Sequence, residues 1–261
     1  MTVFLHELKQ NRLSLIIWTA VIAYMLGICI VIYPEMKSQM NEMSDMFANM
    51  GSFSEAFGMD SLNFGEFMGY FAIECGNVLG MGGAFFAAIL GVNVLAKEER
   101  DGTGEFLLTH PVTRRRVITE KLAFVMTSIV LLNVVVASVT CLCIVAIGEE
   151  VAAKTIFLLF LSYFLLQIEL AAVTFGISAF VTRGAMGIGI GLAATTYFLN
   201  IIANLSDSVK FLKYFTPFAY ADGSYIVNNH TLPIKYLAVG AAFALCGIVL
   251  AYLKYEKKDI L

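Results

Sequence analysis

Six long runs of apolar residues are the feature of this 261-residue sequence that most restricts what it can fold into. Each run carries at most one charged side chain, and the runs cover residues 13–33, 69–96, 122–147, 155–180, 185–205 and 234–253. A bilayer core about 30 Å thick needs about 20 helical residues. No run alternates polar and apolar residues, as strands of a membrane barrel do. The sequence therefore predicts an all-α integral membrane protein with six transmembrane helices, forming one transmembrane domain over residues 1–261.

The composition agrees with a membrane protein and not with a soluble one. The chain is 59% hydrophobic and 14% charged, whereas soluble domains are about 45–50% apolar and about 25% charged. All five cysteines fall inside the apolar runs, so neither an external disulfide framework nor a bound metal is expected. We expect contact with membrane lipid and no nucleic-acid partner.

The distribution of Lys and Arg predicts the orientation in the membrane. With the N-terminus inside, the inner segments hold 12 of these residues and the outer segments hold 5. Cytoplasmic loops carry the excess of Lys and Arg, so both termini are expected in the cytoplasm. Residues 2–12 are expected to form a short amphipathic helix on the inner membrane surface, or otherwise a simple cytoplasmic lead-in to the first run.

Two segments between the apolar runs are expected at the outer surface. Residues 34–68 begin at Pro34 and are acidic, which predicts short helices that either gather a cationic substrate or form a solvated loop. Residues 206–233 are rich in aromatic residues, which favours an interfacial hairpin or a re-entrant pair. Two glycine repeats, Gly76 to Gly80 and Gly187 to Gly191, predict close helix packing within the chain or against a second protomer.

A dense block of mixed charge separates the second and third runs. Eleven of the 25 residues from Lys97 to Lys121 are charged. Thr103 is a candidate cap for a short helix that ends before Pro111, and Thr113 is a candidate cap for a second helix that continues into the third run. The short helix presents Phe106, Leu107 and Leu108 in a charged surround. This pattern suits either docking into a groove of a soluble partner or an ordinary loop anchored on phospholipid by the arginines 114–116.

The same block resembles the cytoplasmic loop of ABC transporter type-2 permeases. The resemblance is to the subgroup with separate permease and ATPase chains, such as bacitracin-resistance-type exporters, sodium-exporter permeases and the permease of nitrous oxide reductase maturation. The shared residues are Glu98, Glu99, Gly102, Thr103, Glu105, Leu107, Leu108, Pro111, Arg114 and Lys121. The layout of the whole chain is also similar, including "TPFAY" before the last run and the "YEKKDIL" tail. Gly104 departs from the pattern, because the family more often has a larger apolar residue there.

The resemblance implies that the short helix is a coupling helix, which lies in a cleft of the ATPase and passes ATP-driven motion to the spans. Its implied contact residues are Glu98, Glu99, Gly102, Thr103, Glu105, Phe106, Leu107, Leu108, Pro111 and Arg114. The chain has no G-x-x-x-x-G-K-[ST] loop, so ATP and Mg²⁺ are expected on the partner. Two ATPase copies and a second permease, identical or homologous, complete the expected transporter. The chain itself is not expected to be an enzyme or to bind a cofactor.

Acidic and amide side chains within the runs are candidates for a translocation path. Glu169 lies near the middle of the fourth run, and Glu74 and Asn77 lie in the second. A buried acid is costly in a membrane and is a functional candidate by default. Besides an exporter of an antimicrobial peptide or lipophilic compound, the sequence allows export of a small cation or of cargo for metalloenzyme maturation. It also allows an ATP-independent transporter or channel that uses Glu169. An intramembrane protease is disfavoured, because the histidines lie outside the runs and HExxH is absent.

Overall fold

The computed structural model describes residues 2–48, 50–56, 62–100, 113–182 and 184–257. Over these ranges the chain is helical and contains no strand. Six helices are long and apolar enough to cross a membrane, so the predicted fold class is confirmed. The first span lies in α1 (Thr2–Ala48), and the short helix α2 (Ser52–Ala56) follows it. The second span consists of α3 (Phe67–Cys75), a π-helical segment (Gly76–Met81) and α4 (Gly82–Arg100), which are continuous. The remaining spans are α5 (Arg114–Ile147), α6 (Ala153–Ser178), α7 (Ala185–Leu205) and α9 (Ile234–Glu256), with the short helix α8 (Gly223–Asn229) before the last.

Helix α1 is 47 residues long and differs from the prediction at both ends. Residues 2–12 are helical, but they are the first turns of α1 and not a separate surface helix. Short outer helices were expected from Pro34 onward, but α1 continues through Pro34 to Ala48. A proline removes one backbone donor, and contacts with neighbouring elements can compensate for this in a membrane protein. Next to the proline, Tyr33 is packed against neighbouring elements: its hydroxyl donates to the Gly65 carbonyl at 2.8 Å, and its ring lies 5.2 Å from that of Phe67.

The second span contains a π-helical segment at the predicted glycine repeat. A Cβ atom on Gly76 or on Gly80 would lie 3.0 Å from the side chain of Tyr163 in α6. The repeat therefore packs against another helix of the same chain, as predicted. In the second repeat, only the central glycine makes a close contact. A Cβ on Gly189 would lie 2.8 Å from Val92 of α4, whereas Cβ atoms on Gly187 and Gly191 would meet nothing within 4 Å.

Helix α5 begins where the capping pattern predicts. The Thr113 side chain accepts a hydrogen bond from the Arg116 backbone at 3.3 Å, which satisfies one of the free donors at the helix start. The helix runs without interruption to Ile147 and ends at Gly148, whose φ of 70° suits glycine.

The second and fourth spans form the centre of the bundle. About 61% of the most apolar window of the second span and 56% of that of α6 are buried, compared with 17% for α9. Helices α6 and α9 come close through glycines, because a Cβ on Gly247 would lie 2.5 Å from the Ala172 carbonyl oxygen. Residues 206–233 form 3₁₀ turns (Asp207–Phe215 and Pro217–Ala219) followed by α8. Within this segment, Phe218 and Tyr220 are buried against the bundle.

Candidate functional site

One end of the bundle contains a buried group of charged side chains, which we call the ionic cluster: Glu7 of α1, Lys97 of α4 and Lys121 of α5. Lys121 Nζ donates to Glu7 Oε1 at 2.7 Å, and Lys97 Nζ lies 2.5 Å from Glu7 Oε2. Glu7 is 1% exposed and Lys121 is fully buried. A single carboxylate thus joins the end of the second span and the start of the third span to the first helix.

Further hydrogen bonds fix the position of the ionic cluster. Lys121 Nζ also donates to the Val94 carbonyl at 2.7 Å, and Lys97 Nζ donates to Gln10 Oε1 at 2.8 Å. Asn11 Nδ2 donates to the backbone carbonyl and to Oε2 of Glu7, at 2.9 and 3.2 Å. Buried charges persist when they are paired and when their remaining hydrogen-bonding capacity is satisfied.

The chain ends near the ionic cluster are held by a second set of contacts. Glu120 Oε2 accepts hydrogen bonds from the backbone of Val3 and Phe4 at 2.9 and 3.1 Å. Glu120 Oε1 lies 2.9 Å from Arg116 Nε. Arg114 reaches the Glu256 carbonyl at 3.4 Å, at the end of α9. The first and last spans therefore begin and end on the side of the bundle where the charged block connects α4 and α5.

The predicted coupling residues lie at the border of the described structure. Gly102, Thr103, Glu105, Phe106, Leu107, Leu108 and Pro111 fall outside the described residues. The backbone of Glu98 and Glu99 belongs to the last turn of α4, and Arg114 is the first residue of α5. The coupling helix therefore stays a prediction, while the two ends of its segment, Lys97 and Lys121, belong to the ionic cluster.

Glu169 of α6 forms a second buried centre with the neutral side chain of Tyr220. Tyr220 donates to Glu169 Oε2 at 2.7 Å, and the two residues are 1% and 7% exposed. Gly240 of α9 lies against them, because a Cβ there would collide with the carboxylate and lie 3.0 Å from the Tyr220 ring. Burial, and then the charge of Glu169, raise the pKa of Tyr220, which keeps its hydroxyl a donor. This contact fastens residues 206–233 to the middle of α6.

The structure does not bring the three candidate path residues together. Glu74 accepts a contact from Cys29 Sγ at 3.6 Å, between α3 and α1. Asn77 is exposed and lines a cavity of about 80 Å³, together with Tyr163, Asn200 and Asp222. Glu169 lines neither this cavity nor the larger one beside the ionic cluster. Of the three, Asn77 is the residue that lines one of these two cavities.

A pair of amides links α5 and α6 inside the bundle. Asn133 Nδ2 donates to Gln167 Oε1 at 2.6 Å, and the Gln167 amide abuts Gly83 of α4. Within the described ranges, Asn133 Oδ1 and Gln167 Nε2 have no protein partner. No group of three His, Cys, Asp or Glu side chains comes together there in a way that would hold a metal ion.

Two participants in these centres were missed by sequence reasoning. Glu7 lies in a segment that was interpreted by its apolar face, and its partners are 90 and 114 residues away. Tyr220 belongs to the "TPFAY" motif, but its partner Glu169 lies 51 residues earlier. The two lysines at the ends of the charged block, Lys97 and Lys121, could have indicated Glu7. A cation that is buried at a span end needs an acidic partner.

Six helices long and apolar enough to cross a membrane, with polar side chains buried between them, define a multi-pass membrane protein. A family model described as "ABC-2 family transporter protein" matches residues 1–260. The chain belongs to this family and is therefore a permease subunit of an ABC transporter. A comparison with curated proteins gave no significant match.

Proposed function

We propose that this permease forms the translocation path of an ATP-driven exporter and that a separate chain hydrolyses ATP. Permeases of this family normally work with an ABC ATPase. The proposal adds two ATPase copies, each with ATP and Mg²⁺, and a second permease, identical or homologous. It places the complex in the cytoplasmic membrane of a bacterium, with the ionic cluster on the cytoplasmic side, in agreement with the Lys and Arg distribution.

The ionic cluster is the observation that carries this proposal. The segment predicted to dock on the ATPase begins at Lys97 and ends at Lys121, and both side chains contact Glu7. A force applied to this segment is therefore transmitted to α1, α4 and α5 together. Attachment of both ends to one buried carboxylate suits a segment that transfers motion. An ordinary surface loop does not require such an attachment.

The proposed substrate is an antimicrobial peptide or a lipophilic compound, which would give the protein a role in antibiotic resistance. This choice rests on the resemblance to self-protection exporters and on the Phe- and Met-rich spans, with 21 Phe and 12 Met in the chain. Asn77 is the proposed contact on the path because it faces a cavity. A small cation or cargo for metalloenzyme maturation is the alternative substrate.

Transport without ATP, with Glu169 as its coupling site, is the rival proposal. The contacts of Glu169 do not favour that role. Its Oε2 accepts a hydrogen bond from Tyr220 at 2.7 Å, and its side chain lines neither of the two cavities. The proposal therefore gives Glu169 the task of holding residues 206–233 in place.

The test combines purification with a change in the predicted docking helix. The tagged permease would be extracted gently from its native membrane, and co-purifying chains would be identified by mass spectrometry. We expect an ABC ATPase in about equal amount, and its loss or uncoupling in the double variant Leu107→Asp, Leu108→Asp. The matched control is Phe211→Asp, because Phe211 is 58% exposed but lies in the segment 206–233.

Two results would count against the proposal. If the wild-type permease is recovered without any ATPase, ATP-driven transport by this chain is excluded under those conditions and the rival proposal gains. If the double variant retains the ATPase and full transport, docking through Leu107 and Leu108 is wrong even though the partner is right.

A further inference from the structure

The larger of the two cavities lies beside the ionic cluster and has a volume of about 290 Å³. One end of it is polar and is lined by Glu7, Gln10, Asn11 and Lys97. The other end is apolar and aromatic, with Trp18 and Phe86, whose ring centroids lie 6.0 Å apart. Such a division suits an amphiphilic molecule, which has a polar head and an apolar body.

The polar end of the cavity is rich in hydrogen-bond donors. Both Glu7 carboxylate oxygens are already engaged, Oε1 by Lys121 and Oε2 by Lys97 and Asn11. Lys97 has three N–H donors. Among the described residues, it donates hydrogen bonds to Glu7 and to Gln10. The Gln10 amide nitrogen and the Ser14 hydroxyl add further donors at the same wall. A head group that accepts several hydrogen bonds and carries negative charge complements this wall.

The cavity lies where the apolar run of α1 begins. Gln10 and Ser14 are exposed on α1, and Met186, at the start of α7, is 55% exposed on the opposite margin. The apolar run of α1 begins at residue 13, so the polar end lies just outside the hydrocarbon region and Trp18 lies just inside it. Phospholipid head groups occupy this level, and basic pockets between spans bind anionic ones.

We propose that this cavity binds the anionic head group of a membrane phospholipid from the leaflet on the side of the chain termini. The phosphate accepts hydrogen bonds from Lys97, Gln10 and Ser14, and the first methylenes of the acyl chains lie against Trp18 and Phe86. The volume is near the lower end of the range for small-molecule sites, about 300 to 1,000 Å³, so the cavity holds the head-group region and leaves the chains in the bilayer. This site is independent of the proposed ATPase partner.

The single tryptophan of the chain gives a direct test, because Trp18 lines the cavity. The full-length permease would be reconstituted into phosphatidylcholine vesicles containing increasing fractions of either brominated phosphatidylglycerol or brominated phosphatidylcholine. Bromine quenches tryptophan fluorescence on contact. We expect half-maximal quenching at an about fivefold lower fraction of the anionic lipid, the preference typical of one basic side chain at a lipid head group.

Three variants separate the cavity from general surface attraction. Lys97→Gln removes the charge at the cavity wall, and Ser14→Phe blocks the mouth while leaving the ionic cluster intact. Both are expected to abolish the preference. Lys9→Gln is the control, because Lys9 is an exposed cation on the same helix and does not line the cavity. It is expected to keep most of the preference.

The proposal is overturned if both lipids quench equally in the wild-type protein. It is also overturned if Ser14→Phe keeps the full preference, or if Lys9→Gln removes it as completely as Lys97→Gln does. A poorly folded Lys97→Gln protein does not prevent the test, since Ser14→Phe changes no contact of the ionic cluster. The measurement uses no ATP and no ATPase, so its outcome is distinct from that of the proposed transport function.

Discussion

Two buried glutamates hold this permease together in different ways. Glu7 lies between two ammonium groups and joins three spans at one end of the bundle. Glu169 lies deep in α6, where it accepts a hydrogen bond from the neutral hydroxyl of Tyr220. The first arrangement is a set of salt bridges whose members depend on one another, whereas the second is one hydrogen bond that anchors a connecting segment. The acid at the span end thus joins three spans, whereas the acid in the middle of a span joins one span to a connecting segment.

The strongest way to break this comparison is to remove the charge of Glu7. Glu7→Gln leaves Lys97 and the buried Lys121 without their carboxylate, and breaking one partner of a buried pair costs about 3–5 kcal/mol. We expect a marked fall in the thermal stability of the full-length permease in detergent, together with a lower ratio of transport to ATP hydrolysis in the complex.

A matched control for Glu7→Gln is Glu35→Gln, because Glu35 is an exposed acid on the same helix. This control is expected to leave stability within about 0.5 kcal/mol of the wild type, as is usual for surface substitutions. Equal stability of the two variants would mean that the ionic cluster does not stabilise the bundle.

The second test removes the donor from the other centre. Tyr220→Phe preserves the packing of the ring but leaves the Glu169 carboxyl without this hydrogen bond, and an unsatisfied buried group costs about 1–3 kcal/mol. We expect a smaller loss of thermal stability than in Glu7→Gln. Because residues 206–233 lose their anchor, hydrogen exchange should also rise in that segment while it stays unchanged around α4 and α5.

Tyr214→Phe is the control for this substitution, since Tyr214 belongs to the same segment and is 43% exposed. An identical exchange pattern in both variants would show that the Tyr220 hydroxyl does not anchor the segment.

The sequence was sufficient for the architecture but not for these two centres. Continuous apolar runs predict spans because a helix must bury its backbone polar groups within itself in lipid, and Thr113 predicts the start of α5 because capping is a local interaction. Local rules favour a helix end before Pro34, but α1 continues through it, and the adjacent Tyr33 bonds to Gly65, 32 residues away. Glu7 and Tyr220 acquire their roles through similarly distant partners, which residue order alone does not reveal.

The last and smallest expected effect distinguishes the two uses of Glu169. Glu169→Gln keeps an oxygen that accepts the hydrogen bond from Tyr220, and the side chain still fits beside Gly240. The free energy of unfolding is therefore expected to fall by about 1 kcal/mol, the difference between a charged and a neutral hydrogen bond. We expect ATP-dependent transport by the reconstituted complex to stay close to the wild-type rate, with Glu169→Ala as the variant that lacks the acceptor altogether. If Glu169→Gln abolishes transport while the protein remains as stable as the wild type, the ionisable carboxyl itself is required. Glu169 would then belong to the translocation mechanism, and the contrast between a salt-bridged acid at the span end and an acid at the centre that only anchors a segment would be wrong.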